Sequence, residues 1–360
     1  RACSHRRPGA APHRTAGSGD HCCTAAATAA AGPAAPGAAR HHQAQRLMPH
    51  LGPAPAGVAV PLQRDFRVMG SRSFVIVHGG TPAMLDHAEA RLRELESWWS
   101  RFRADSDITL ANQAAGRPVV VHGDTLAVVA RALDAWRQTG GRFDITMLPA
   151  LLAHGYTHSA VDHSAAPHVP GSRIGMSAMV HTDYAASTLT VPAMTAIDLG
   201  GIGKGFAADI VAEELIEAGA TGALVNVGGD LVVLGHPSDD TSWYVGIEDP
   251  RRPPQHIARL RLLTGGLATS GTTIRKWTQA DGTAAHHLID PDRAAPSVAG
   301  IVTATVIAAD AATAEAFATA AMMLPGAEAM AMLERVQLAG LAVDDQGCVF
   351  ETSTLKDFAA

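Results

Sequence analysis

Cysteine is scarce in this chain and poorly placed for cross-linking: of four, Cys3, Cys22 and Cys23 lie in the first 23 residues and only Cys348 in the body. No disulfide framework can hold the fold, so an apolar core must. Long apolar runs are lacking as well. The 47% of hydrophobic residues are interrupted by Gly, Pro and charge, and no stretch reaches the roughly 18 residues that a membrane-spanning helix needs. Excess positive charge is missing too: the net charge is −6, and residues 1–48 carry Arg1, Arg6, Arg7, Arg14, Arg40 and Arg46 against Asp20 alone, so the body is more acidic still. That balance argues against a nucleic-acid backbone as partner. Lysine is the rarest of these, with only Lys204, Lys276 and Lys356 among 28 basic residues. A lysine inside a motif is therefore a chemical requirement more than a solubilising habit.

What is present divides the chain. Residues 1–63 form an Ala/Pro/Gly/Arg-rich tail with almost no large apolar side chain; such a composition cannot offset the entropy of ordering, and disorder is expected. The tail shows neither the apolar stretch of about 7–15 residues of a signal peptide nor a cysteine placed behind one for lipid attachment, which makes the cytoplasm the expected location. Met48 stands close to where folded-looking sequence begins. Residues 64–345 read as one functional domain with a His/Ser-rich loop at 157–187, and 346–360 as a C-terminal extension.

Within the domain, 66–80 alternates, then runs apolar into Gly79-Gly80, as a strand and turn do. Leu85, Ala88, Leu92, Leu95 and Trp99 form a helical stripe over 82–103, and 124–138 is a second helix stopped by Gly140-Gly141. Strands are predicted from 188, at 223–235, 243–248, 257–263, 300–308 and 340–343, with helices at 206–219, 311–323 and 326–336. Helix pairs and strand pairs without regular βαβ alternation predict an α+β fold.

Three constellations carry chemistry. Asp198-Leu-Gly-Gly-Ile-Gly-Lys204-Gly places a glycine turn immediately before a helix, where free N–H groups and the helix dipole favour an anion. It is not a Walker A loop, since Gly205 follows Lys204 where Ser or Thr is required. Gly203-Lys-Gly-Phe-Ala-Ala208 matches G-x-G-x-x-A, with Asp230 as a ribose-binding acid, so a nicotinamide oxidoreductase is a rival reading. Second, Ala268-Thr-Ser-Gly271 is followed by His286-His287-Leu-Ile-Asp290-Pro291, in which His287 can act as a general base near neutral pH. Third, Glu315 and Thr319 are spaced i, i+4, so on a helix both offer oxygen to a hard cation from one face.

Taken together, these segments resemble the ApbE family of FAD:protein FMN transferases over residues 66–345. The landmarks are Met69-Gly70; Ser100-Arg-Phe102-Arg with Ser106-Asp-Ile and Asn112; Gly141-Arg-Phe143-Asp144-Ile-Thr146; the glycine turn with Lys204; Asn226-Val-Gly-Gly229; Ala268-Thr-Ser-Gly271; His287-Leu-Ile-Asp290-Pro291; and Ala314-Glu-Ala-Phe-Ala-Thr319. The resemblance implies a duplicated T-fold-like α+β arrangement with FAD in a cleft. It implies a reaction that moves the FMN half of FAD onto a threonine of an acceptor protein and releases AMP. It further implies that Met69, Phe102, Arg142, Phe143, Asp144, Asp198, Lys204 and the backbone of Ile289 bind FAD. Mg²⁺ would sit on the Gly201 carbonyl, Glu315 and Thr319, and His287 would take the threonine proton, with His286 and Asp290 as alternatives for that base.

Departures from the family pattern are Glu315 at the usual Asp position, Phe102 at a frequent Tyr, and Arg293-Ala294 in place of a Thr-Gly turn. They leave FAD hydrolysis to FMN and AMP, or flavin binding without catalysis, as alternatives. No stretch matches the Asp-x-x-(Ser/Thr)-(Gly/Ala)-(Ala/Thr) acceptor pattern attributed to the family's targets, so the acceptor is expected to be another protein.

Overall fold

The computed structural model describes residues 60–159, 163–169, 171–237, 242–279 and 282–360. The tail expected over 1–63 lies outside the described residues up to position 59, and strand β1 (Leu62–Val68) starts at its inner edge. The chain continues through β2 (Ser71–His78), helices α1 (Pro82–Trp99), α2 (Asp107–Gln113), α3 (Gly123–Gln138), α4 (Leu148–Ala153) and α5 (Gly203–Glu217). Next come β3 (Gly222–Val227), β4 (Asp230–Gly235), β5 (Trp243–Glu248), β6 (His256–Leu262), β7 (Gly265–Gly271) and β8 (Ile301–Ala308). Helices α6 (Ala311–Ala321) and α7 (Gly326–Arg335) precede β9 (Ala339–Asp344) and β10 (Val349–Glu351).

One eight-stranded sheet, in the order β1-β2-β3-β4-β7-β8-β9-β10, organises the domain. Alternation along its strands sends residues to opposite faces. Val75 and Val77 of β2, Val225 of β3 and Val306 of β8 join a core with the stripe of α1 and the buried faces of α5 and α6. Ile76, Leu224, Val233 and Ile307 point the other way, onto Trp243, Val245 and Ile247 of β5 and Leu260 and Leu262 of β6. The result is three layers: helices, sheet, hairpin. No helix among the described residues is long and apolar enough to cross a membrane.

The α+β class expected from the sequence is the class found. Every strand pairing among the described residues is antiparallel, and Gly203 through Ala208 lie inside α5, away from any strand-to-helix turn. The G-x-G-x-x-A match therefore lacks the parallel βαβ unit that gives the motif its meaning. The first helix is shorter than the 82–103 expected: Ser100 takes extended backbone and ends α1. Ser106 then starts α2, its Oγ accepting from the Thr109 N–H at 3.1 Å. The 157–187 segment carries a short strand, His181–Asp183, paired with Thr188–Thr190. Residues 346–360 pack onto the sheet: Val349–Glu351 form β10, which pairs with β9, and Leu355 joins the core on one of its faces.

Two tight hairpins meet at one end of the sheet. Val68 pairs with Ser71 and Val227 with Asp230, leaving two-residue turns at Met69-Gly70 (φ 49° and 71°) and Gly228-Gly229 (φ 70° and 102°). Two positive φ values make turns whose twist matches the flanking strands. The hairpins abut so closely that a Cβ on Gly228 would lie 2.7 Å from the Ser71 Cβ, a separation only glycine permits. Met69 is a non-glycine residue held in the left-handed region, a strain that concentrates at functional sites.

Candidate active site

Beside these turns opens a cleft of about 990 Å³, at the upper end of ligand pockets. The residues that the resemblance assigns to FAD, the metal and the leading base all line it: Met69 from the first turn; Phe102 after α1; Arg142, Phe143 and Asp144 after α3; Asp198, Gly201 and Lys204 at the entry to α5; His287 and Ile289; and Glu315 and Thr319 on α6. Segments more than 200 positions apart thus converge. Of the three candidate bases, His287 lines the cleft, whereas His286 and Asp290 do not. His286 is held in its hairpin by the Ser297 carbonyl at 3.1 Å, and Asp290 accepts from the Asp292 N–H at 2.9 Å.

At the floor lies a buried ion cluster. The Lys204 ammonium donates to Asp230 and, at 2.6 Å, to Glu315 Oε1, while Glu315 Oε2 accepts from the Gly205 N–H at 2.7 Å. Burial acts to lower the Lys204 pKa, but Asp230 and Glu315 outweigh it and raise it. Burial pushes Glu315 up to about 7 against the opposing pull of Lys204. The close approach of α5 to α6 makes these contacts possible, since a Cβ on Gly205 would meet the Ala311 carbonyl oxygen at 2.4 Å. Both Glu315 oxygens are thus engaged within the protein. A carboxylate has about four lone-pair directions, so acceptor capacity remains. The Thr319 hydroxyl lies 3.2 Å from Ser270 Oγ, and a Cβ on Gly201 would fall 3.3 Å from Thr319 Oγ1.

Asp230 belongs to the cleft through Lys204. The cue in the sequence was its place directly after the Gly228-Gly229 turn, but its partner is 26 positions upstream and on another element. Asp198 is committed to the chain itself: Oδ1 accepts from the Gly200 N–H at 2.5 Å and Oδ2 from Arg101 Nε at 2.7 Å. Asp144 Oδ1 caps the turn at Ile145–Met147 and also accepts from Ser177 Oγ at 2.9 Å. On the rim, Arg142 pairs with Asp292 at 2.5 Å.

His287 Nδ1 faces the Arg275 carbonyl at 3.4 Å. A carbonyl only accepts, which assigns the proton to Nδ1 and leaves the Nε2 lone pair free. Burial, then the charge of Arg275, pull its pKa down to about 3, so the imidazole is neutral across the physiological range.

The sequence profile of the ApbE family matches residues 69–343. The FAD:protein FMN transferase of Vibrio cholerae is 28% identical over 276 residues, 74% of this chain and 82% of that one. The FAD:protein FMN transferase of Treponema pallidum is 28% identical over 291 residues, covering 74% and 79%. The crystal structure of the ApbE protein of Thermotoga maritima superposes with a TM-score of 0.74 at 24% identity, covering 84% of this chain and all of that one. For the flavin transferase ApbE of Vibrio cholerae the TM-score is 0.69 at 24% identity, with 83% of this chain covered; these structures share the fold. The family match runs from the strained turn at Met69 to the end of β9 and takes in every candidate site residue named above: the chain belongs to the ApbE family.

Proposed function

We propose that this protein transfers the FMN half of FAD onto a threonine hydroxyl of an acceptor protein, releasing AMP. The observation that carries the reading is the convergence on one cleft of the twelve positions that the resemblance assigns to FAD, the metal and the base, supported by curated relatives that bear this activity in their names. In the reaction the threonine Oγ attacks the phosphorus of the FMN half. A new P–O bond forms, the P–O bond to the AMP phosphate breaks, and AMP departs with the bridging oxygen.

The chain's residues divide this work. The positive end of the α5 dipole favours the diphosphate at this end of the cleft. His287 Nε2 takes the threonine proton. In the ligand-free cleft its basicity is weak, and an anionic dinucleotide beside it raises that basicity by Coulomb attraction for the imidazolium. Phe102 and Phe143 supply apolar surface for a ring. The Gly201 carbonyl, Glu315 and Thr319 are hard oxygen donors gathered at one corner, and they fit Mg²⁺ better than a softer metal. Bound there, Mg²⁺ would neutralise charge on the diphosphate.

The test is incubation with FAD and an acceptor bearing the threonine pattern, with and without Mg²⁺, read by in-gel flavin fluorescence and AMP release. A fluorescent acceptor band that requires Mg²⁺ and is lost in Glu315→Ala and His287→Ala is expected. AMP without a fluorescent band would replace transfer by hydrolysis, and bound FAD without AMP would leave a flavin-binding protein.

A further inference from the structure

Arg101 lies between α1 and α2, at a position to which neither the constellations nor the family landmarks assign a role. Its side chain is 6% exposed and lines the cleft. The guanidinium packs against two rings that meet edge to face, 4.1 Å from the Phe102 centroid and 4.9 Å from that of Tyr156. Nε donates to Asp198 Oδ2 at 2.7 Å and Nη2 to the Tyr156 carbonyl at 3.0 Å. Nη1 is buried and has no hydrogen-bond partner.

A buried guanidinium that served only the fold would have its donors satisfied, because a charged group stripped of water is costly when its hydrogen bonds go unmade. Here two of the three nitrogens are fixed by the protein and the third is left over. The fixed nitrogens also set its location. Asp198 ties Arg101 to the turn that opens α5, through the same carboxylate that holds the Gly200 N–H. The leftover donor therefore belongs to a guanidinium anchored at the entry to α5, on the cleft wall that Asp198, Gly200, Gly201 and Lys204 also line. Guanidinium matches phosphate in charge and planar geometry, and the diphosphate is the anionic part of FAD.

We infer that Arg101 is a ligand-binding residue whose Nη1 donates to a phosphate oxygen of the bound dinucleotide, with Asp198 as the residue that positions it. This inference rests on the FAD-binding reading above and deepens it.

The experiment compares dissociation constants for FAD, ADP and riboflavin between the unmodified protein and Arg101→Met, which keeps an apolar stem against the two rings. FAD and ADP are expected to weaken about 10- to 100-fold, as for loss of a hydrogen bond to a charged group, with riboflavin unchanged and Arg101→Lys intermediate. Because the single variant leaves Asp198 without its cation, the double variant Arg101→Met/Asp198→Asn is measured beside it, with thermal unfolding as the check on folding. Equal FAD affinity in the unmodified and altered proteins overturns the inference alone. A riboflavin loss as large as the FAD loss also overturns it, placing the contact on the ring system. Failure of the unmodified protein to bind FAD overturns the transferase reading, and this inference with it.

Discussion

One ammonium between two buried carboxylates leaves the Lys204 cluster with a deficit of positive charge at the poorly hydrated floor of the cleft. Removing the cation strands both acids, and an uncompensated buried charge is among the costliest single changes. Lys204→Met is expected to destabilise the protein by about 3–5 kcal/mol at pH 8, measured by urea unfolding. The loss should shrink at pH 5.5, where Glu315, raised to about 7, takes up a proton and sheds its need for a partner. At this scale the sequence was informative about identity and silent about pairing. Lys204 stood out by rarity, but its contacts lie 26 and 111 positions away, and only topology brings such residues together. Arg101 stood inside the Ser100-Arg-Phe102-Arg landmark with no role of its own: its meaning depends on which of its nitrogens is left without a partner, and spacing does not encode that.

Between elements, the joint of α5 and α6 decides where the cleft's floor sits. Asp209 on α5 reaches across to accept from the Ala311 and Ala312 N–H groups at 2.8 and 2.9 Å, capping α6 from a neighbouring helix. Burial, resisted by those two N–H bonds, lifts its pKa to about 7 from an ordinary 3.8. A carboxyl that binds its proton more tightly in the folded state favours folding at low pH, and that contribution is lost as pH rises from about 4 to about 7. Asp209→Asn, which cannot titrate, should flatten the dependence of unfolding free energy on pH by up to about 4 kcal/mol over that window, with the flattening absent above pH 8. Urea titrations at stepped pH would show it, and an unchanged slope would count against the assignment. Helices were the most legible elements because their apolar stripes recur at 3.6 residues. The end of α1 at Trp99 and the seven-residue α2 were not, since Ser100 and Ser106 break and restart the helix inside a polar stretch with little periodicity.

For the molecule as a whole, the order of strands was the least legible feature. Alternation predicts that a strand exists and which face it buries, but not its neighbour; that β2 pairs with β3, across some 140 intervening residues, follows from packing alone. The last fifteen residues illustrate the same limit. Read as an extension, they contribute β10 and the buried Leu355. A chain ending at Asp345 would expose the edge of β9 and the apolar face around Leu341 and Val343. Its melting temperature is expected to fall by more than about 5 °C, with added aggregation on heating, measured by differential scanning calorimetry and light scattering.

The cleft's walls come from Arg67 at one extreme and Met323 at the other, and this has a temporal consequence. During synthesis from the N-terminus, the first hairpin and the glycine turn emerge long before α6, so a nascent chain carries fragments of the site but no enclosed pocket. Flavin capture therefore follows release of nearly the whole chain, and a ribosome stalled short of α6 holds a protein unable to keep its ligand.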